Sequence, residues 1–286
     1  MFICGMYILV ADSGSTKTDW VLLHHGKQIL QALTIGFNPY FHSTEQIRHE
    51  LRTSLLPHIE PYLSHITAVH YYGAGCSTSE KCELVHQSIA GILPHALISV
   101  SHDLLASARA LCGHQMGIAA ILGTGSNSCL YDGEKVIENV PSVGYLWSDY
   151  GGGSQIGKLF IRDYFEGRLS KEICREFEKE GYNRETILDN VYKGGMPSRY
   201  LASVSLFVGR HLEHESVQKV LNECFDSFFI YQISKYTDSK KYKVNSVGSV
   251  GFYYRDFVAA TAKRHGYSMG TVIRSPMDGL VAFHSK

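Results

Sequence analysis

Two short turns rich in glycine and hydroxyl side chains carry the first chemical signal in this 286-residue sequence. The first is Asp12-Ser13-Gly14-Ser15-Thr16-Lys17-Thr18, which follows the apolar run Tyr7–Ala11. Gly14 permits a backbone path that larger residues resist. Ser15, Thr16 and the backbone amides can then point at phosphate oxygens, and Lys17 adds a positive charge. Asp12, at the end of a buried strand, is placed to hold a magnesium ion, directly or through water, because that ion takes oxygen ligands and keeps several waters. The second turn, Gly123-Thr124-Gly125-Ser126-Asn127, follows the equally apolar run Gly117–Leu122. A polar hairpin explains either turn alone. Two of them, each after a buried strand, point to phosphate binding.

Gly248-Ser249-Val250-Gly251 is a third cluster, at a strand-to-helix junction. Small residues there let a base or ribose lie against the backbone, close helix-on-strand packing being the other reading. Phosphoryl transfer to a hydroxyl also needs a base or orienting group beside the acceptor oxygen. Asp103, after the strand Ala96–Val100, is the candidate, and N-capping the helix that begins there is its competing role. Gly152-Gly153-Ser154-Gln155-Ile156-Gly157-Lys158-Leu159 comes close to a GxxxxGK[ST] phosphate loop. It has Leu159 where the metal-binding hydroxyl belongs, and no buried strand precedes it, so it is read as a decoy.

The elements that position these turns form two similar halves. Tyr7–Ala11, Asp19–Leu23 and Gln28–Thr34 read as three strands joined by tight turns, with His24-His25-Gly26-Lys27 as a hairpin tip. A helix follows from Thr44 to about Leu56, where Pro57 is expected to stop it. Ile66–Tyr72 reads as a strand, Thr78–Ala90 as a helix. The pattern restarts with strands at Gly117–Leu122, Ser128–Tyr131 and Lys135–Val140. A long helical stretch from about Ser154 to Tyr236 precedes the strand Val244–Val247, a helix over Phe252–Arg264, a strand near Thr271–Ile273 and a helix from about Met277. This internal duplication predicts two lobes with the active site in a cleft between them. The first lobe is expected over residues 1–104, with the last helix, about 274–286, packing back on it. The second is expected over 105–267 with a helical insertion.

Composition narrows the function classes. Hydrophobic residues make up 44% and charged residues 19%, enough for a packed core. Formal net charge is zero and no dense basic stretch appears, which argues against a nucleic-acid partner. No apolar run is long enough to span a membrane, and the first residues lack a signal-peptide pattern, so a cytoplasmic protein is expected. Met6, at the first strand, is an alternative start to Met1. The seven cysteines are scattered without a CxxC pair, against a disulfide framework, zinc or an iron–sulfur cluster. Residues 170–200 offer a surface on which a homodimer could form.

With these residues in view, the chain resembles the N-acetylglucosamine kinase family, in the sugar kinase branch of the actin, heat-shock ATPase and hexokinase superfamily. The reductase-activator ATPases share that fold. Asp12–Asp19 looks like the family's first phosphate motif, Gly36-Phe37-Asn38-Pro39 its substrate-side segment, and Ser101-His102-Asp103 its catalytic-aspartate segment. Leu122–Asn127 looks like the second phosphate motif, Gly144–Ser154 the segment with a sugar-binding aspartate at Asp149, and Gly248–Gly251 the adenosine motif. Tyr150 and the glycines after it depart from the family's usual Glu followed by Gly-Ser.

The resemblance implies an α/β fold of two ribonuclease H-like lobes, each a mixed five-stranded sheet flanked by helices. It implies ATP and magnesium as cofactors and an amino sugar as substrate, N-acetylglucosamine phosphorylated at the 6-hydroxyl being the leading reading. Asp103 would be catalytic and Asp12 would hold the metal. Gly14, Ser15, Thr16, Lys17, Gly123, Thr124, Gly125, Ser126, Gly248, Ser249 and Gly251 would bind ATP; Asn38, Asn127 and Asp149 would bind the sugar. A switch-type ATPase and a nucleotide sensor without kinase activity are the alternatives.

Overall fold

The computed structural model describes residues 6–14 and 16–285. The expected contribution of Ser15 and the choice of Met1 as the start lie outside these residues. The chain divides into two compact units, Met1–Gly113 with Pro276–Lys286, and His114–Ser275.

The first unit is built on strands β1 (Tyr7–Ser13), β2 (Lys17–His24), β3 (Lys27–Ile35), β4 (Ile66–Gly73) and β5 (Leu97–His102), in the order β3-β2-β1-β4-β5. β1 pairs antiparallel with β2 and parallel with β4. The hairpin tip between β2 and β3 has His25 and Gly26 at positive φ, as a tight primed turn requires. The run Ile8–Ala11 of β1 is apolar because both faces of the strand are covered there. Leu9 and Ala11 pack under α1 (Thr44–Glu50), α2 (Leu56–Ile59) and α3 (Ser79–Ala90) through Ile47, Ile59 and Val85. Ile8 and Val10 pack on the other face with Ala106 of α4 (Asp103–Cys112) and with Met277 and Leu280 of α12 (Met277–His284). Each large side chain so buried contributes about 1.5–3 kcal/mol. Gly279 lets α12 approach α4 closely: a Cβ there would collide with the Ala110 carbonyl.

Two sequence expectations change here. Pro57 does not stop the helix. A π-helical turn over Leu51–Leu55 leads into α2, whose first turn carries Pro57. The boundary between units falls after Gly113, not at Leu104, because Ala106 of α4 is buried with Met277 and Leu280 in the first unit and Leu105 and Ala110 pack against that cluster.

The second unit repeats the plan. β6 (Gly117–Leu122), β7 (Ser126–Tyr131), β8 (Val136–Asn139), β9 (Val244–Val247) and β10 (Met269–Ile273) run β10-β9-β6-β7-β8, again a three-strand antiparallel meander with two parallel strands beyond its first member. Between β8 and β9 come α5 (Gly153–Phe165), α6 (Lys171–Lys179), α7 (Arg184–Leu188), α8 (Pro197–Gly209) and α9 (Glu215–Tyr231), and after β9 come α10 (Ser249–Tyr253) and α11 (Arg255–Arg264). Ile118, Ala120 and Leu122 of β6 anchor one core with Ile156, Phe160, Phe207 and Phe225 from these helices. Among the described residues no helix is long and apolar enough to cross a membrane.

Candidate active site

In the first unit, strand pairing sets Asp12 opposite Asp19 across the β1–β2 ladder, at the mouth of the turn. The turn closes with the Gly14 amide donating to the Lys17 carbonyl at 3.0 Å, and Gly14, Thr16 and Lys17 stand exposed. Lys17 is committed locally: its Nζ lies 2.7 Å from Asp19 Oδ2. Asp103 is the first residue of α4, at the end of β5. The helix cap is His102, whose Nδ1 accepts from the Leu105 amide at 3.1 Å, so the carboxyl of Asp103 is released from that duty. Burial raises its pKa, a pull partly countered by His102 and by the Leu104 amide. Asp12 is pushed up to about 7, first by burial, then by the negative charges of Asp103 and Asp19. Two of the sequence-predicted residues, Asp12 and Asp103, thus sense one another electrostatically.

Ser13 ties the neighbouring loops to this turn. Its Oγ accepts from the Phe37 amide at 3.1 Å and shares a 2.7 Å bond with Thr18 Oγ1, while its carbonyl accepts from the Ala74 amide at 2.9 Å. The segment carrying Asn38 is therefore held beside β1. Asn38 Oδ1 accepts from the Tyr40 amide at 3.0 Å. Gly75, at φ +83°, lies against it, and a Cβ would sit 2.5 Å from Asn38 Oδ1. Ser13 and Gly75 carried no functional signal in the sequence beyond their place in polar turns.

In the second unit, the β6–β7 turn is clamped from one side. The Gly123 carbonyl accepts from the Gly153 amide at 2.8 Å and the Thr124 carbonyl from the Ser154 amide at 2.9 Å. In a trans peptide the carbonyl and the following N–H point in opposite directions. The amides of Thr124 and Gly125 therefore project away from α5, as an anion site needs. Ser126 and Ser154 flank the turn with buried hydroxyls that have no hydrogen-bond partner among the described residues. Asp149, only 8% exposed and held at φ +60°, lies against Gly125: a Cβ there would stand 2.5 Å from Asp149 Oδ2. Its Oδ1 accepts from Ser142 Oγ at 2.8 Å. Asn127 is fixed by its Oδ1, which accepts from the Ser128 amide at 2.9 Å and from Asn139 Nδ2 at 3.0 Å.

The Gly248 turn has φ +119°, and a Cβ there would strike the Leu122 carbonyl, so glycine alone brings β9 and α10 this close to β6. Beside it opens a cavity of about 410 Å³ lined by Ser249, Val250, Tyr253 and Tyr254 with Ser205, Leu206, Gly209, Arg210 and Leu212 of the α8 end. That volume and aromatic lining suit a small planar ligand. Arg210 and Tyr253 belong to it without any local motif to announce them.

The near-match to a phosphate loop has another use. Its first helical amides are consumed by the β6–β7 turn, and Lys158 Nζ donates to the Tyr145 carbonyl. Gly157 is a helix-packing glycine, where any Cβ would collide with the Leu201 carbonyl of α8.

No protein-family model and no curated protein matches the sequence. Solved structures do. A candidate N-acetylglucosamine kinase from Porphyromonas gingivalis is 38% identical with a TM-score of 0.90, over 97% of this chain and 98% of that one. A second candidate N-acetylglucosamine kinase, from Chromobacterium violaceum, is 16% identical with a TM-score of 0.71, over 98% and 99% of the two chains. A ROK hexokinase from Thermus thermophilus is 12% identical with a TM-score of 0.54, over 97% of each chain. The last two likenesses are of fold.

Proposed function

The chain belongs to the N-acetylglucosamine kinase family, and on that premise we propose that it transfers the γ-phosphoryl group of ATP to the 6-hydroxyl of N-acetylglucosamine. The likeness to the Porphyromonas gingivalis protein along the whole chain is the observation that carries this reading. It makes the protein an ATP-dependent sugar kinase; the amino sugar comes from that relative's own name, and the 6-hydroxyl from the family resemblance of the sequence motifs.

Asp103 acts on the acceptor. As the sugar oxygen attacks the γ-phosphorus, its new O–P bond forms while the bond to the β,γ-bridging oxygen breaks, and Asp103 takes the hydroxyl proton as ADP leaves. A carboxyl raised by burial is a stronger base than an ordinary one, and His102 spares it from capping. The projecting amides of Thr124 and Gly125 are the phosphate contacts of the second unit, and Thr16 and Gly14 those of the first. The cavity at Ser249 and Tyr253 takes the adenine. Asn127 and Asp149 are the sugar contacts of the second unit, and Asn38 that of the first.

Asp12 fits a magnesium ion by its donor chemistry. It is an oxygen ligand whose carboxyl is pushed up to about 7 by burial and by two neighbouring carboxylates, a surplus of negative charge that a divalent cation relieves. Asp12 would hold the ion, directly or through water, and the ion would neutralise phosphate charge.

The test is ATP turnover with N-acetylglucosamine, glucosamine, N-acetylmannosamine and N-acetylmuramic acid. Turnover that requires a sugar, greatest with N-acetylglucosamine, is expected. Hydrolysis indifferent to every sugar would overturn the reading in favour of a switch ATPase.

A further inference from the structure

Asn139 and Ser142 lie on one four-residue stretch, Asn139-Val140-Pro141-Ser142, that leaves β8. Each reaches a different residue of the proposed sugar site. Asn139 Nδ2 donates to Asn127 Oδ1 at 3.0 Å, and Ser142 Oγ donates to Asp149 Oδ1 at 2.8 Å. Neither position showed a motif in the sequence.

The partners leave no freedom in the orientation of the amides. The Ser128 backbone N–H can only donate, so the atom it meets on Asn127, at 2.9 Å, is the oxygen. The Ser128 and Val140 carbonyls can only accept, so the atom of Asn139 that faces them, at 2.7 and 3.3 Å, is the nitrogen. Asn139 therefore meets Asn127 with a donor, and the oxygen of Asn127 is used up. What Asn127 has left for a ligand is its NH₂ group, a pure donor. Ser142 likewise occupies one carboxylate oxygen of Asp149 and leaves Oδ2, against Gly125, as a pure acceptor.

We infer that Asn139 and Ser142 are positioning residues that set the hydrogen-bonding sense of the sugar site, so that Asn127 donates and Asp149 accepts. The inference rests on the reading of Asn127 and Asp149 as sugar contacts. The ligand it selects offers an acceptor, a hydroxyl oxygen or an amide carbonyl, to Asn127 and a hydroxyl proton to Asp149. Without Asn139, the Asn127 carboxamide loses one of the two bonds that hold its oxygen and can turn, and a turned amide presents the wrong group.

A double-mutant cycle tests this in the full-length enzyme. KM for N-acetylglucosamine, KM for ATP and melting temperature are measured for wild type, Asn139→Ala, Asn127→Ala and the double variant. Asn139→Ala should raise the sugar KM roughly 5- to 20-fold, the scale of one lost hydrogen bond, and leave the ATP KM within about twofold. In the Asn127→Ala background the same change should add less than about twofold, because the residue through which it acts is gone. Ser142→Ala, measured with and without Asp149→Ala, should show the same non-additivity and stands in should Asn139→Ala fail to fold. With an active wild type, equal losses in both backgrounds, or an unchanged sugar KM, overturn the inference alone. A wild type inactive on every amino sugar overturns the proposed function and this inference with it.

Discussion

Asp103→Asn removes a charge and a proton acceptor while keeping the size of the side chain, which makes it the sharpest perturbation of the proposed chemistry. A positioned base contributes about 10²–10⁴-fold to rate, equivalent to about 2.7–5.5 kcal/mol in the barrier. That is the expected fall in kcat. The structure says the fold should not share in the loss. The cap of α4 is the His102 ring accepting from the Leu105 amide, so helix α4 keeps its N-terminal bond in the variant. Nor is a favourable charge removed: burial raises the pKa of Asp103, so its ionised form is disfavoured in the folded state. For a carboxyl raised on folding, stability is present at low pH and lost as pH rises through the folded pKa. At neutral pH the neutral amide escapes that loss, and the melting temperature should be unchanged or a few degrees higher. The Asp103 charge is also the second cause of the shift at Asp12, so the Asp12 carboxyl should titrate below its value of about 7 in the metal-free variant. The assays are sugar-dependent ADP release, calorimetry and carboxyl-carbon NMR. Wild-type turnover would refute the catalytic role, and a large drop in melting temperature would mean that Asp103 serves the fold.

Gly125→Ala places a Cβ 2.5 Å from Asp149 Oδ2 and 2.8 Å from its Cγ, so the carboxylate must move, and kcat/KM for the sugar should fall by at least about tenfold; an unchanged value would detach Asp149 from the site. Lys158→Ala should leave ATP affinity within a few-fold, since Lys158 Nζ is spent on the Tyr145 carbonyl; lost nucleotide binding by calorimetry, with the fold kept, would reinstate the Gly152–Leu159 segment as a phosphate loop. His284 stacks on His70 with ring centroids 4.1 Å apart and bonds Tyr72 OH at 2.9 Å, and burial, then His70 and Arg109, lower its pKa to about 3. A histidine held neutral on folding contributes stability that is full above its unfolded pKa near 6.5 and falls as pH drops toward 3, by at most about 1.4 kcal/mol per pH unit. Denaturant titrations from pH 7 to pH 4 should show a shallower fall for His284→Phe than for wild type, and parallel curves would contradict it.

Much of the frame is readable in the sequence because it is written locally. The runs Tyr7–Ala11 and Gly117–Leu122 end at Gly-rich turns, and the meander that follows each of them is what the two sheets share. Asp12, Asp103 and Gly125 stand at strand or helix ends, where a short pattern suffices to find them. The misplaced features depend on distant partners. Pro57 was expected to end a helix, but a π turn carries the chain past it into Ile59 and the core. The first unit extends through α4 because Ala106 meets Met277 and Leu280, far along the chain. At Asp103 capping was the role competing with catalysis, and the His102 ring one residue earlier takes it instead. Arg210 and Tyr253 join one cavity across 43 residues of chain, and Asn139 reaches Asn127 across a strand pair, neither leaving a periodic trace.

The product formed from ATP and N-acetylglucosamine is the most direct test of the central claim. Phosphorus and proton NMR of the reaction mixture should show stoichiometric ADP and a sugar phosphate ester whose coupling places the phosphate on carbon 6. ADP with inorganic phosphate alone, formed at the same rate without sugar, or an ester at another carbon, would contradict it.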